Sequence, residues 1–222
     1  VDPNRTIDWN IVKTTHNITI SNETLPASKF QNRTILSLEI ENTLAVLGDN
    51  EIHSGNGLTV THYLKLDGKL DLQGESQLIQ PIDSDLEVLS NGHLERDQQG
   101  TGSQFTYNYW SSPVTKQNAS VNSFKVIDVL KDGTNTENPL TINFSSSGYN
   151  GAPTSPIKIA DYWIWKYANS ASGNYSSWQH IRRTGTIFPG EGFTMKGPGI
   201  EDETLKQNYV FSGKPNNGDI NL

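Results

Sequence analysis

The chain has no cysteine and a single methionine, and only 18% of its residues are charged. Without cysteine there is no disulfide framework, the usual support of a secreted eukaryotic β-protein of this size. That absence fits either a cytosolic protein or a bacterial surface protein that relies on a large core. No stretch approaches the roughly eighteen apolar residues of a membrane-spanning helix, and no signal-peptide pattern is present. Basic residues are scarce as well: 17 Lys and Arg against 24 Asp and Glu leave a formal net charge of -7. Nucleic acid is therefore excluded as a partner, because phosphate binding needs basic patches. The one local basic cluster, Arg182-Arg183, is too small to steer a polyanion.

What the chain does have is Asn, Ser, Thr, Gln and Gly in place of salt. That mix disfavours a helical bundle and suits an all-β protein with many turns. Its 222 residues allow one large domain or two modest ones. Asn-x-Ser/Thr triplets recur from Asn4-Arg5-Thr6 to Asn174-Tyr175-Ser176, at the frequency expected of so Asn- and Thr-rich a chain. They are read as carrying no glycan. The first residue is Val1, not Met, so a removed leader or a larger parent is expected. At the other end "NYVFSGKPNNGDINL" reads as a strand, a turn and a truncated return strand, so the chain is read as an excerpt.

From Ile35 onward a small unit repeats: a short alternating apolar stretch, then a polar turn. Its leading residues are Leu36, Leu44, Ile52, Leu58, Leu64, Leu70, Leu78, Leu86 and Leu94, spaced by six or eight positions. Even spacing keeps every leading residue on one face of a strand. Three units span about twenty residues, which matches one coil of a parallel β-helix with leucines stacked inside. A meander of hairpins is the alternative, and Asp67-Gly68 suits a hairpin turn. "DWNIVKTTHNITI" (Asp8 to Ile20) supplies a capping strand or a first coil. "LERDQQGTGSQ" (Leu94 to Gln104) abandons the leucine rhythm and reads as a linker.

The expected division is thus a β-solenoid over residues 1–104 and a β-sandwich or jelly-roll-like domain over 105–222, incomplete at its end. Four of the five tryptophans lie in the second part. "FKVIDVL" (Phe124 to Leu130), "LTINF", "DYWIWKY", "SWQHIRR", "GEGFTMKG" and "NYVFSGK" read as six short strands, with no helix among them. "FTYNYWSSPV" (Phe105 to Val114) reads as the junction: a strand that seals the solenoid with Tyr107 and Tyr109 or Trp110 buried.

No catalytic residues emerge. There is no Gly-x-Ser-x-Gly elbow, no phosphate-cradling loop and no zinc spacing; His16, His53, His62, His93 and His180 are scattered, although His62 and His93 can meet on neighbouring coils. Asp67, Asp71, Glu75, Asp83 and Asp85 are the carboxylates a solenoid lyase or glycosidase would use, yet turn chemistry alone accounts for them. No cofactor is implied. Calcium is the one metal to consider, at Asp83-x-Asp85 or at Asp132-Gly133 with Glu137. For ligand binding the candidates are Trp163, Trp165, Tyr175 and Trp178: the first two share a face of "DYWIWKY", and the others flank a Gly/Ser/Asn loop of the kind that presents sugar-stacking rings.

The strings "YNYWSSPV", "PGEGFTMKGPG", "NYVFSGKPNNGDI", "LKLDGKLDLQGESQLIQ" and "DWNIVKTTHNITI", in that combination, resemble a module of very large surface proteins. These are exported by the type IX secretion system of gliding bacteria. The resemblance covers nearly the whole chain and implies an extracellular, cell-surface location with an adhesive, gliding-associated or surface-structural role. It also implies contact with the secretion machinery through regions outside this chain, since the sorting domain and the "NPYPS"-type continuation of such proteins are absent. It attaches no catalytic residue to these motifs. The expectation is a non-enzymatic surface protein whose possible partners are surface glycans or other surface proteins. A polysaccharide-binding or polysaccharide-degrading secreted protein is the alternative.

Overall fold

A computed structural model describes residues 10–21, 32–49, 53–167, 177–202 and 204–220. The fold is all-β, with strands throughout and only single helical turns between them. It divides into two compact units, Val1–Arg96 and Asp97–Leu222.

In the first unit the strands are β1 (Ile11–Thr14), β2 (Ile18–Ile20), β3 (Arg33–Ile40), β4 (Thr43–Val46), β5 (Gly57–Leu66), β6 (Lys69–Leu72), β7 (Gln77–Ile79) and β8 (Asp85–Val88). The first four residues of β9 (His93–Thr101) complete it. Every ladder here is parallel. One stack runs β1-β3-β5 and then β7 and β8 along β5; the other runs β2-β4-β6-β9. The chain alternates between the stacks, except that β7 and β8 both lie along β5, and consecutive strands do not pair with each other. That rules out the hairpin meander: Asp67-Gly68 joins β5 to β6, which belong to different stacks. Gly68 is required there by close approach, since a Cβ would lie 2.0 Å from the Asn42 carbonyl oxygen.

The leucines form ladders because equivalent positions stack. Leu44 pairs with Leu70 and Leu70 with Leu94; Leu38 pairs with Leu64 and Leu64 with Leu86; Leu58 pairs with Leu78. Leu38, Ile40, Leu44, Val46, Leu58, Leu64, Leu66 and Leu70 are all buried. Each such side chain removed from water contributes about 1.5–3 kcal/mol. The β3 residue stacked on Leu64 is Leu38, while Leu36 falls at a register shift between Ile35 and Ser37, where Thr61 and His62 of β5 stand opposite it. Ile52 lies outside the described residues. On the outer face Lys13, Glu39 and Lys65 form a charged ladder, and the Tyr63 hydroxyl donates to Glu87.

The run read as a linker is a strand. β9 runs His93–Thr101, so its last five residues belong to the second unit. That unit contains β10 (Tyr107–Trp110), β11 (Val114–Thr115), α1 (Val126–Val129), β12 (Leu130–Asp132), β13 (Leu140–Thr141), β14 (Asn143–Ser145), β15 (Lys158–Ala160), β16 (Trp165–Tyr167), β17 (Trp178–His180), β18 (Phe193–Lys196) and β19 (Lys206–Pro215). β10, β18, β16 and β17 form an antiparallel sheet in that order. β12 and β11 pair antiparallel with β19, β13 extends from β12, and β14 and β15 form a short parallel pair.

Two expected strands are interrupted. Within Phe124–Leu130 the residues 126–129 make a helical turn, because Val126, Val129 and Leu130 are all buried and their i, i+3, i+4 spacing satisfies a helix. Within Asp161–Tyr167 the first three residues form a 3-10 turn before β16 begins. The core of this unit is aromatic: Trp110 meets Tyr209 at 5.0 Å, Phe211 at 6.1 Å and Phe193 at 6.4 Å between ring centroids, all edge-on. Burial pushes the Tyr209 phenol far above its ordinary value, and its hydroxyl has no hydrogen-bond partner among the described residues.

Candidate functional site

Register decides which side chains share a face of the β10-β18-β16-β17 sheet. Tyr107 is opposite Lys196 and Tyr109 opposite Thr194; Thr194 is opposite Trp165, which is opposite His180; Tyr167 is opposite Trp178. All of these lie on one face. On the other face Phe193 and Met195 are buried in the core. Strand alternation therefore gathers five aromatic residues and a histidine on the side turned away from the core.

This face is open. Tyr109 is 69% exposed, and Tyr107, Tyr167 and Trp178 are each more than a third exposed. Two concavities lie along it. One, of about 420 Å³, is lined by Tyr107, Tyr109, Tyr162, Trp163, Trp165, Trp178 and Thr194. The other, of about 620 Å³, runs from Trp110 and Tyr167 past Phe188 to the 189–193 turn, and it shares Tyr109, Trp178 and Thr194 with the first. Both volumes fall within the range of small-ligand sites. An exposed apolar surface this continuous marks a binding surface more often than chance exposure.

The rings are held, not loose. Trp165 stacks on His180 at 4.3 Å with 15° between planes. Tyr162 touches Trp163 edge-on at 4.9 Å, and Trp178 touches Tyr167 at 5.4 Å. The Trp163 indole donates to the Tyr149 carbonyl at 2.6 Å and the Trp165 indole to that of Tyr162 at 2.9 Å. Among the described residues the Trp178 indole N–H meets no acceptor. The Lys196 ammonium sits over the Trp163 ring at 3.6 Å and the Tyr107 ring at 5.0 Å from their centroids, and burial lowers its pKa.

Two ionic anchors frame the groove. Asp161 is fully buried and accepts from Arg182 at 3.0 Å and from Arg183, tying the turn before β16 to the turn after β17. Glu191 closes a type II turn in which Pro189 takes the first central position and Gly190, at φ +83°, the second. Its carboxylate accepts from the Phe188 N–H at 2.8 Å and from Lys166 at 2.9 Å. Burial works against its ionisation, but these two partners outweigh it and hold its pKa below the ordinary value.

Three of the four ligand-binding candidates meet here: Trp163, Trp165 and Trp178 line one concavity. Tyr175 lies outside the described residues. The 3-10 turn changes the partition expected for "DYWIWKY": Tyr162 joins Trp163 and Trp165 on the groove, while Ile164 alone turns fully into the core. The burial expected of Tyr107 and Tyr109 is overturned. Asn108 is the buried residue of β10, with its side-chain oxygen accepting from the Thr101 N–H at 2.8 Å, so Tyr107 and Tyr109 face outward. Trp110 is half-buried against the aromatic core. Sequence reasoning also missed Tyr167, His180, Phe188 and Lys196. The usable signal was the Tyr-Asn-Tyr alternation, which pairs two rings on one face without saying which face is wet.

The remaining chemistry does not assemble. His62 and His93 lie in different stacks. Of the candidate carboxylates of the first unit, Glu75 pairs with His53 at 3.1 Å, and Asp71 joins a cluster with Glu95 opposite it and Lys69 at 2.9 Å from Glu95 and 3.7 Å from Asp71. Asp71 and Glu95 are buried, and desolvation raises the Asp71 pKa despite its partners. That cluster braces a ladder and is closed to a polymer. The Asp132 carboxylate is filled by protein donors: the Thr134 N–H and hydroxyl, the Ile157 N–H and the Gln207 amide. Among the described residues no three His, Cys, Asp or Glu side chains are grouped to hold a metal ion. Nor is any helix among them long and apolar enough to cross a membrane. Comparison with protein-family models, curated proteins and solved structures gives no match for the chain.

Proposed function

We propose that this chain is a non-enzymatic, glycan-binding segment of an extracellular bacterial surface protein, with an adhesive role. In this reading the first unit is a β-solenoid, the second a β-sandwich-like domain, and export follows the type IX route that the sequence motifs resemble. The observation that carries the binding role is the continuous aromatic face of the β10-β18-β16-β17 sheet. Pyranose rings present polarised C–H faces, and these are attracted to the negative faces of aromatic rings. A row of half-exposed Tyr and Trp rings suits successive sugar units along a chain.

Binding without turnover is favoured by the acids. Hydrolysis of a glycosidic bond needs a pair of carboxyl groups flanking it. Among the residues lining the two concavities Glu191 is the single carboxylate, and it is committed to Lys166 and the Phe188 N–H. A glycan array tests the reading. The intact chain is expected to bind a subset of polysaccharides, and Trp178→Ala to lose at least tenfold in affinity with an unchanged thermal melt. Absence of binding to every glycan, or full binding by Trp178→Ala, would count against it.

A further inference from the structure

We propose that the groove selects glycans bearing negative charge, a carboxylate or sulfate on the sugar, and that Lys196 is the residue that reads it; this rests on the glycan-binding reading above. The position of Lys196 makes the case. It is the β18 residue opposite Tyr107, so its side chain rises on the aromatic face. Its ammonium lies against the Trp163 and Tyr107 rings, two of the rings that line the smaller concavity. A sugar seated in the smaller concavity, which both rings line, lies beside Lys196.

The charge on this face is uncompensated. Among the described residues no carboxylate pairs with Lys196, whereas Lys166 pairs with Glu191 and the two arginines share Asp161. The aromatic setting strips water from the ammonium, which is why its pKa falls. A cation in such a place gains more from an arriving anion than a fully hydrated lysine does, because the attraction strengthens as the local dielectric drops. The chain as a whole carries a net charge of -7, so long-range attraction does not supply this preference. Contact with one lysine does.

The test compares neutral polysaccharides with their uronate-bearing or sulfated counterparts on one array, using the intact chain, Lys196→Gln and Lys196→Arg. Acidic members are expected to bind about tenfold more tightly than neutral ones. Lys196→Gln is expected to bring the acidic-to-neutral affinity ratio to about one, whatever it does to either affinity; Lys196→Arg, which keeps the charge, retains the ratio. Equal binding of neutral and acidic members, or an undiminished acidic preference in Lys196→Gln, overturns the charge selection and leaves the glycan-binding reading standing. Failure to bind any member overturns both.

Discussion

Two guanidinium groups converge on one buried carboxylate at Asp161, and that arrangement governs how the groove is held. Arg182 adopts a positive φ of 53°, a backbone state that costs a non-glycine residue about 1–3 kcal/mol and persists only where its surroundings enforce it. Removing the carboxylate leaves two charges without their partner. Both arginines are partly exposed, so Asp161→Ala is expected to lose about 1.5–3 kcal/mol in urea denaturation, the range for hydrogen bonds to a charged group, and to weaken glycan binding although Asp161 lines neither concavity. Glu191 gives a second, pH-dependent expectation. Its folded-state pKa is depressed, so its contribution is complete above the ordinary carboxylate value and is lost as pH falls through the lower folded one. Measured as the stability difference from Glu191→Gln, the gap is expected to be widest near neutral pH and to close under acid. A gap that widens as pH falls would reverse the sign.

At the scale of strands, stacking explains both what the sequence disclosed and what it concealed. The six- and eight-residue spacing was legible because an even step preserves the face, and the ladders through Leu44, Leu70 and Leu94 follow from it. Leu70→Ala is expected to cost about 2–5 kcal/mol, the range for opening a cavity in a packed core. Leu36→Ala, at a half-buried position beside the β3 register shift, is expected to cost clearly less. Equal losses would mean that the ladder is not the core of this unit. Other features were hidden for physical reasons. Residues 126–130 satisfy helical and alternating spacing at once, so packing had to choose between them. In β10 alternation groups Tyr107 with Tyr109, but only the partner strand reveals that Asn108 is the inward residue. Trp163, Trp165 and Trp178 were recognisable as aromatic outliers in a polar chain. Lys196 was not, because its role comes from rings distant in sequence.

For the molecule as a whole, the two units are built on different principles. Parallel ladders of leucine make up Val1–Arg96, and antiparallel sheets around an aromatic core make up Asp97–Leu222. The proposed recognition belongs entirely to the second. The tryptophans are well placed to report on this: Trp163, Trp165 and Trp178 line the smaller concavity, and Trp110 edges the larger one and packs against the aromatic core. The most direct measurement is the set of five indole N–H signals in a ¹⁵N-correlated spectrum as a bound polysaccharide is titrated in. Shifts are expected at Trp163, Trp165 and Trp178, largest at Trp178, whose N–H is uncommitted among the described residues. Binding that leaves these three signals in place would rule out a glycan site on the aromatic face.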